Sequence, residues 1–290
     1  MRFAFIQSHA RIWRITTMCR VLEVSKAGYY AWRARPLCER VQTNHVLTAK
    51  IREIHEQVKH RYGSPRVRME LKALGFPVGK HRVARLMREA GVRATPRRRF
   101  RVTTDSAHHN PVTPNLVRRQ FAVVHHAHVN QTWAADITYI PTAEGWLYLA
   151  VLLDLASRRV VGWALSTRLT QELTLSALRM ALLHRGARGV VHHSDRGIQY
   201  ASYAYQALLG SAACTASMSR VGDCWDNAVV ESFFATLTKE LLGDRPFPTR
   251  TDARRELFEF IEIWYNRQRR HSTLGYRTPV EYETQMLRVS

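Results

Sequence analysis

Three acids, Asp136, Asp195 and Glu231, are the residues of this chain best suited to chemistry. Asp136 lies inside TWAADITYI, an apolar run that reads as a strand, and Asp195 follows the β-branched run GVVHHS. Glu231 sits in a helical pattern, with 35 residues (196–230) between it and Asp195. Hard divalent cations take oxygen ligands, so carboxylates are the right residue type to hold Mg²⁺ or Mn²⁺. Two such ions about 3.5–4 Å apart can activate an attacking oxygen and relieve charge on a leaving one, which phosphodiester hydrolysis or exchange requires. Each acid also has an ordinary reading. An Asp between Ala135 and Ile137 could be an exposed strand residue, but in an apolar strand it is costly unless paired or liganded. Asp195 in SDRG has the composition of a turn, and Glu231 alone would pass for a solvated helix acid.

The elements around these acids are readable in order. TWAADITYI is a strand, Pro141 to Gly145 a turn, and WLYLAVLLD a second strand. Asp154 to Arg159 turns again before VVGWALS, a third strand. Thr170 caps a helix that runs through His184 and ends at Arg185-Gly186. GVVHHSD is a fourth strand, 202–209 a helix, CTASMS a short fifth strand and 225–242 a long helix. The order βββαβαβα, hairpin strands first and alternating units after, predicts a mixed α/β sheet with helices packed on it. That is the order of the ribonuclease-H-like fold. Asp136 then falls mid-strand, and Asp195 at the C-terminal end of the fourth strand, where catalytic groups gather in open sheets. Glu231 reaches in from the helix, and Asn227, one turn earlier on the same face, would orient it or contact DNA.

The chain has 290 residues with 44 Lys and Arg against 23 Asp and Glu, a formal charge of +21. Its length suits about two domains. Arginine dominates the excess, and the planar guanidinium matches phosphate geometry, so the expected partner is nucleic acid. The four cysteines are widely spaced with no CxxC pair, which argues against a structural zinc site and for free thiols in a reducing cytoplasm. No run reaches the roughly 18 apolar residues of a membrane span. The opening MRFAFIQSHARIWR does not have the order of a signal peptide, so a cytoplasmic, nucleoid-associated location is expected.

Upstream of the sheet the pattern is helical. Two short helices fall within 12–33, the second capped by Ser25. A longer one over 43–60 carries a stripe of Val46, Leu47, Ile51, Ile54 and Val58. After Ser64-Pro65 a helix carries Val67, Leu71 and Leu74 and ends at Gly75. Another, 80–90, buries Val83, Leu86 and Met87 and shows Lys80, Arg82, Arg85 and Arg88 on its other side. This pair reads as a helix-turn-helix whose second helix could enter a major groove. From Arg82 through Arg119 there are ten arginines and two acids, and ATPRRRFRVTT, with Arg97, Arg98 and Arg99, reads as a linker able to track a phosphate backbone. The expected division is 1–95 helical and DNA-binding, 96–125 basic linker, and 126–290 catalytic core with C-terminal helices. The tail carries a helix over 252–270 with Leu257, Phe260, Ile261 and Trp264 as its stripe, then a helix opened by Pro279. Arg196, Lys239 and Arg267 are further candidate phosphate contacts. Asp154 reads as a turn residue. His192 and His193 would suit zinc better than magnesium, and His193 is expected behind the acids or facing DNA.

Together these stretches resemble the transposase encoded by the second reading frame of bacterial insertion sequences of the insertion-sequence-three family. DITYI with YLAVLLDLASRRVVGWAL is similar to the segment around that family's first catalytic Asp, HSDRGIQY to the second, and SMSRVGDCWDNAVVESFF to the Glu segment at the same spacing. WYNRQRRHSTLGYRTPVEY resembles its C-terminal signature, and VSKAGYYAW and YGSPRVRMEL with HRVARLMREAG its N-terminal helical region. The resemblance implies an integrase-like core in which Asp136, Asp195 and Glu231 bind two Mg²⁺ or Mn²⁺ ions. It implies cleavage at element ends and transfer of the freed 3′-hydroxyl into target DNA. The implied partners are double-stranded DNA, terminal repeats and target, together with an upstream-frame product or frameshift fusion, and a homo-oligomer is expected because two ends must be held. A DNA-binding regulator, or a nuclease that cuts without joining, is the alternative. Two positions depart from the family pattern. Thr238 stands where a basic residue is usual, with Lys239 one position later and turned by about 100°, and Ile198 stands where Ser is common.

Overall fold

The computed structural model describes residues 1–36, 38–94, 113–118, 128–186, 188–220, 227–243 and 246–289. Most of the basic linker, including Arg97, Arg98 and Arg99, therefore lies outside the described residues. The chain forms two compact units, 1–59 with 70–93, and 60–69 with 94–290.

In the first unit, α1 (Arg2–His9), α2 (Ile15–Val21) and α3 (Lys26–Ala34) enclose a small core of Ile6, Met18, Cys19 and Tyr29. Ser25 caps α3 as expected, its hydroxyl accepting the Gly28 N–H at 2.9 Å. α4 (Glu39–Gln57) buries Leu47, Ile51 and Ile54, and α6 (Lys80–Glu89) packs on it through Val83, Leu86 and Met87. Val46 and Leu74, expected in apolar stripes, are exposed. α5 (Ser64–Ala73) begins within the second unit.

The second unit is built on a five-stranded sheet in the order β3-β2-β1-β4-β5. β1 (Thr132–Thr142), β2 (Gly145–Asp154) and β3 (Val160–Ser166) form an antiparallel meander, while β4 (Val191–Ser194) and β5 (Thr215–Met218) add in parallel. The crossovers are α7 (Gln171–Arg185) and α8 (Tyr203–Ser211). α7 lies tight on β3 because Gly162 has no side chain; a Cβ there would come within 2.7 Å of the Ala181 Cβ. The core beneath them includes Trp133, Leu152, Leu178 and Tyr205, all essentially inaccessible to solvent.

β1 runs through Pro141, which the sequence had suggested as a turn. The Pro141 carbonyl accepts from Phe247 N at 3.0 Å, and a strand residue's N and O point to the same side. The missing N–H therefore removes no bond to β2.

α9 (Ala228–Leu237) has Asn227 as its N-cap, the expected start at 225 lying outside the described residues, and continues as a π-helical turn, Thr238–Leu242. α10 (Arg250–Phe258) likewise continues as a π-helix, Glu259–Gln268, before α11 (Pro279–Val289). Asn266 seals the β3 edge: its side chain both accepts from Val160 N and donates to Val160 O, each at 3.0 Å.

Candidate active site

The parallel pairing of β1 with β4 ends at Ala135 opposite Ser194. The next residue in each case is an acid: Asp136, still within β1 and paired with Val151 of β2, and Asp195, just past the C-terminal end of β4. Asp136 is half-buried and accepts its neighbour's N–H, from Ile137, at 2.7 Å. Burial pushes its carboxyl well above the ordinary carboxylate range. The charge of Asp195 and, more weakly, that of Glu231 push the same way, against the Ile137 hydrogen bond. Both acids are therefore close enough to act on Asp136 electrostatically.

Asp195 is held by a tight turn. Its Oδ1 accepts from Gly197 N at 2.9 Å, and a Cβ on residue 197 would stand 3.0 Å from that oxygen, so glycine fits there without displacement. Arg196 donates through Nε to the Ser219 carbonyl at 2.7 Å, tying the turn to the chain leaving β5.

Glu231 is delivered by α9. At its N-cap, buried Asn227 donates through Nδ2 to the Ala135 carbonyl at 3.0 Å, the residue just before Asp136. One turn later on the same face stands Glu231, half-buried and with its pKa raised by desolvation. Neither Asp136 nor Glu231 has a cationic partner among the described residues. The donor set is all carboxylate oxygen, which fits a hard divalent cation and not zinc. Among the described residues no three His, Cys, Asp or Glu side chains are grouped so that they could hold a metal ion, so the three carboxylates stand near one another without forming a ligand cluster.

The other expected site residues divide. Asn227 serves as the clamp between α9 and β1 and is buried, so it is not a surface contact for DNA. Arg82 is half-buried, its Nε bonded to Asn44 Oδ1 of α4 at 2.9 Å. Arg85 lies 3.9 Å from Glu89, while Arg88 and Arg267 are exposed. His193 does not face DNA: it is fully buried between β4 and β5, with Nδ1 2.9 Å from Ser217 Oγ. His192, buried against the Tyr205 hydroxyl at 2.8 Å, has its pKa driven down to about 3 by burial and by His193, and is neutral. Asp154, expected in the turn, is the last residue of β2, and its carboxylate ties the turn that follows by accepting from Asn130 N, Ser157 N and Ser157 Oγ. Lys239 is half-buried within the π-helical turn, where the 100° step per residue of an α-helix no longer holds. Ile198 is exposed.

Tyr200 was not anticipated. It is buried, and its hydroxyl has no hydrogen-bond partner among the described residues. Burial raises its pKa well above the ordinary value, with Tyr205, Asp136 and Asp195 adding to the effect, so it stands beside the acids. The only sequence signal was its place at the end of HSDRGIQY.

Integrase core domain models match residues 126–224 and 212–279, and an HTH-like domain model matches residues 42–100. Transposase InsF for insertion sequence IS3A of Escherichia coli (strain K12) is 42% identical over 290 residues, covering 99% of this chain and 100% of its own. The chain belongs to the IS3 family of transposases. The insertion element IS600 uncharacterized 31 kDa protein of Shigella sonnei is 44% identical over 266 residues, 91% of this transposase and 97% of its own length. Among solved structures, the HTLV-2 integrase catalytic core domain in complex with magnesium (trimeric form) is 19% identical with a TM-score of 0.42, covering 54% of this chain and 97% of that one. As a member of this family with integrase core and HTH-like matches, the transposase is a DNA-binding, DDE-type polynucleotidyl transferase with a ribonuclease-H-like core and a helix-turn-helix-like region before it. No helix among its described residues is long and apolar enough to cross a membrane.

Proposed function

We propose that Asp136, Asp195 and Glu231 are the catalytic and metal-binding residues of this transposase, and that they hold two divalent ions, Mg²⁺ or Mn²⁺. The observation that supports this most is the pairing of Ala135 with Ser194, each of which is followed in the chain by an acid. When bound, the ions supply a more acidic attacking oxygen donor and charge relief on the leaving oxygen. Asp136 and Asp195 offer neighbouring carboxylates from the sheet. Glu231 offers a third from α9, and Asn227 keeps that helix against β1.

The oxygen of water first forms a bond to phosphorus at the element end as the bond to the 3′-oxygen breaks, one water proton ending on the released 3′-hydroxyl and the other passing to solvent. That 3′-oxygen then attacks a target phosphodiester, one P–O bond forming as another breaks and the hydroxyl proton passing to solvent. Each exchange of one P–O bond for another is complete in a single displacement, so no covalent enzyme intermediate is required.

The same reading assigns 1–95 to DNA binding, 96–125 to a linker that follows the phosphate backbone through Arg97, Arg98 and Arg99, and 126–290 to catalysis. Arg85, Arg88, Arg196, Lys239 and Arg267 serve as phosphate contacts. Two element ends must be held together, so the working form contains more than one copy, with the upstream-frame product or a frameshift fusion supplying further end recognition. Its place of action is the nucleoid.

The test is strand cleavage and joining on labelled DNA carrying the element's terminal repeats. Wild type and Glu231→Gln are compared, with Mg²⁺ or chelator and with the upstream-frame product added. Metal-dependent nicking and joined products, both lost in Glu231→Gln, are expected. Joined products from a folded Glu231→Gln would overturn the assignment.

A further inference from the structure

Phe5, His9 and Trp13 follow one another at four-residue spacing, so α1 and the turn after it set their rings one above another on one side. Trp13 keeps this relation past the end of the helix because its N–H still reaches the His9 carbonyl, at 3.1 Å. The rings stack. Phe5 and His9 have centroids 4.1 Å apart with their planes at 26°, and His9 and Trp13 lie 5.3 Å apart at 15°. The middle ring is held in orientation, its Nδ1 2.9 Å from both the Phe5 carbonyl oxygen and Ser8 Oγ. α1 is anchored by Ile6, which is buried with Tyr29 in the small core.

The column itself belongs to no core. Phe5 is 45% and Trp13 53% exposed. Two half-exposed rings joined by a third make a contiguous apolar patch, and such a patch marks a surface that meets a partner. Its surroundings are cationic. The first 22 residues carry four arginines and no Asp or Glu. Arg2 stands one turn before Phe5 on the same helix face, and Arg11 and Arg14 flank Trp13 in the chain, all three exposed.

A second copy docking through the same face would bring these like charges together, which disfavours self-association there. An anionic partner with flat apolar groups satisfies both features. Single strands are bound by this combination, phosphates meeting the cations and unstacked bases lying on aromatic rings. In a duplex each base face is already covered by its neighbours and only base edges are open in the grooves, which leaves a column of rings nothing to stack on. We propose that the Phe5–His9–Trp13 column is a stacking platform for the bases of unpaired DNA, with Arg2, Arg11 and Arg14 meeting its phosphates. The platform lies within the region assigned to DNA binding and rests on that reading. Because every base has a π-face, binding here tolerates any sequence.

The test uses the full chain. Binding of a short labelled oligothymidylate, which forms no duplex, and of a duplex of equal length is followed by fluorescence anisotropy at several salt concentrations. Trp13→Ala removes one end of the column, and Trp13→Tyr keeps a ring there. Leu183→Ala, at an exposed apolar residue of α7, is the control. Trp13→Ala is expected to weaken oligothymidylate binding by about tenfold or more. Its salt slope should not change, because no charge is lost, and its duplex affinity should stay at the wild-type value. Trp13→Tyr and Leu183→Ala should bind both probes as wild type does. Equal oligothymidylate affinity in wild type and Trp13→Ala, an equal loss on oligothymidylate and duplex, or a loss in Trp13→Tyr as large as in Trp13→Ala overturns the platform. So does a smaller assembly of Trp13→Ala in sedimentation with oligothymidylate affinity unchanged, which assigns the surface to a protein contact. Should Trp13→Ala fail to fold, Phe5→Ala decides through the same two affinities. Wild type that binds duplex but not oligothymidylate overturns the platform alone, and wild type that binds neither overturns the DNA-binding reading with it.

Discussion

The second unit treats two groups of partly or fully buried acids in opposite ways. Glu240 and Glu283 are given cations. Glu240 meets Arg269 and the Trp264 indole, and Glu283 meets Arg185 at 2.7 Å and the Ser157 hydroxyl at 2.8 Å, with Arg159 beside them. Burial alone would push Glu283 up, but the hydrogen bonds and charges of Arg185 and Arg159 outweigh it and hold the carboxyl below the usual range. Asp136 and Glu231 are shifted the other way, and what lies near Asp136 is more negative charge. Glu240 and Glu283 are neutralised by the fold itself. The acids we propose for catalysis are left with an unmet demand for positive charge, which a divalent ion would satisfy.

The largest expected effect breaks the comparison on the catalytic side. Asp136→Asn, Asp195→Asn or Glu231→Gln should each reduce metal-dependent cleavage by more than the roughly 10–100-fold lost when an outer contact of a metal ligand is altered. Circular dichroism should be unchanged and duplex affinity within severalfold; substantial cleavage by any one variant removes that acid from the set. On the scaffold side, Arg269→Met leaves Glu240 buried with a weaker partner. It should cost about 3–5 kcal/mol in urea unfolding, and a loss below about 1 kcal/mol would mean that the pair is dispensable.

Next is the acid limb of stability. Because the folded pKa of Glu283 is depressed, its contribution is fully present above the unfolded value of about 4.3 and fades as pH falls through that value toward the lower folded pKa. Glu283→Gln should flatten this limb and lose about 1–2 kcal/mol at neutral pH; parallel pH curves for the two proteins would refute the assignment. The smallest effect has the opposite sign. In chelator Asp136→Asn should melt about 2–4 °C higher than wild type, because a repelled charge is gone, and Mg²⁺ should then stabilise only wild type. A lower melting point for Asp136→Asn would mean that the acids do not oppose one another.

Most of the sheet was legible because its signals are local. VVGWALS is β3, the stripe of Leu173, Leu175 and Leu178 is buried on α7, and Gly186 ends that helix in the left-handed conformation. The three acids were legible as types and spacing. The role of Asn227 was readable only as a choice between two, and the buried bond to Ala135 removes one of them. Arg82 lay on the polar side of a helix, but which polar neighbour it meets depended on Asn44, 38 residues away. His193 read as a site residue because histidine often is one. Its partners, Ser217 and Ser219, come from β5 and the chain just after it, whose pairing with β4 no local pattern specifies. The π-helical turn after Leu237 carries the same residues as an α-helix would and leaves no periodic signature.

By itself, then, the sequence determined most of the elements, their succession along the chain and the candidate acids, since hydrophobic periodicity, turn chemistry and residue type act within a few positions along the chain. Tertiary structure alone decided which acids receive a cation and which do not. Those outcomes depend on charges brought together from far apart, such as Glu240 with Arg269 and Arg159 with Glu283. Burial and Coulomb interaction act through space, and only the packed chain defines the distances over which they work.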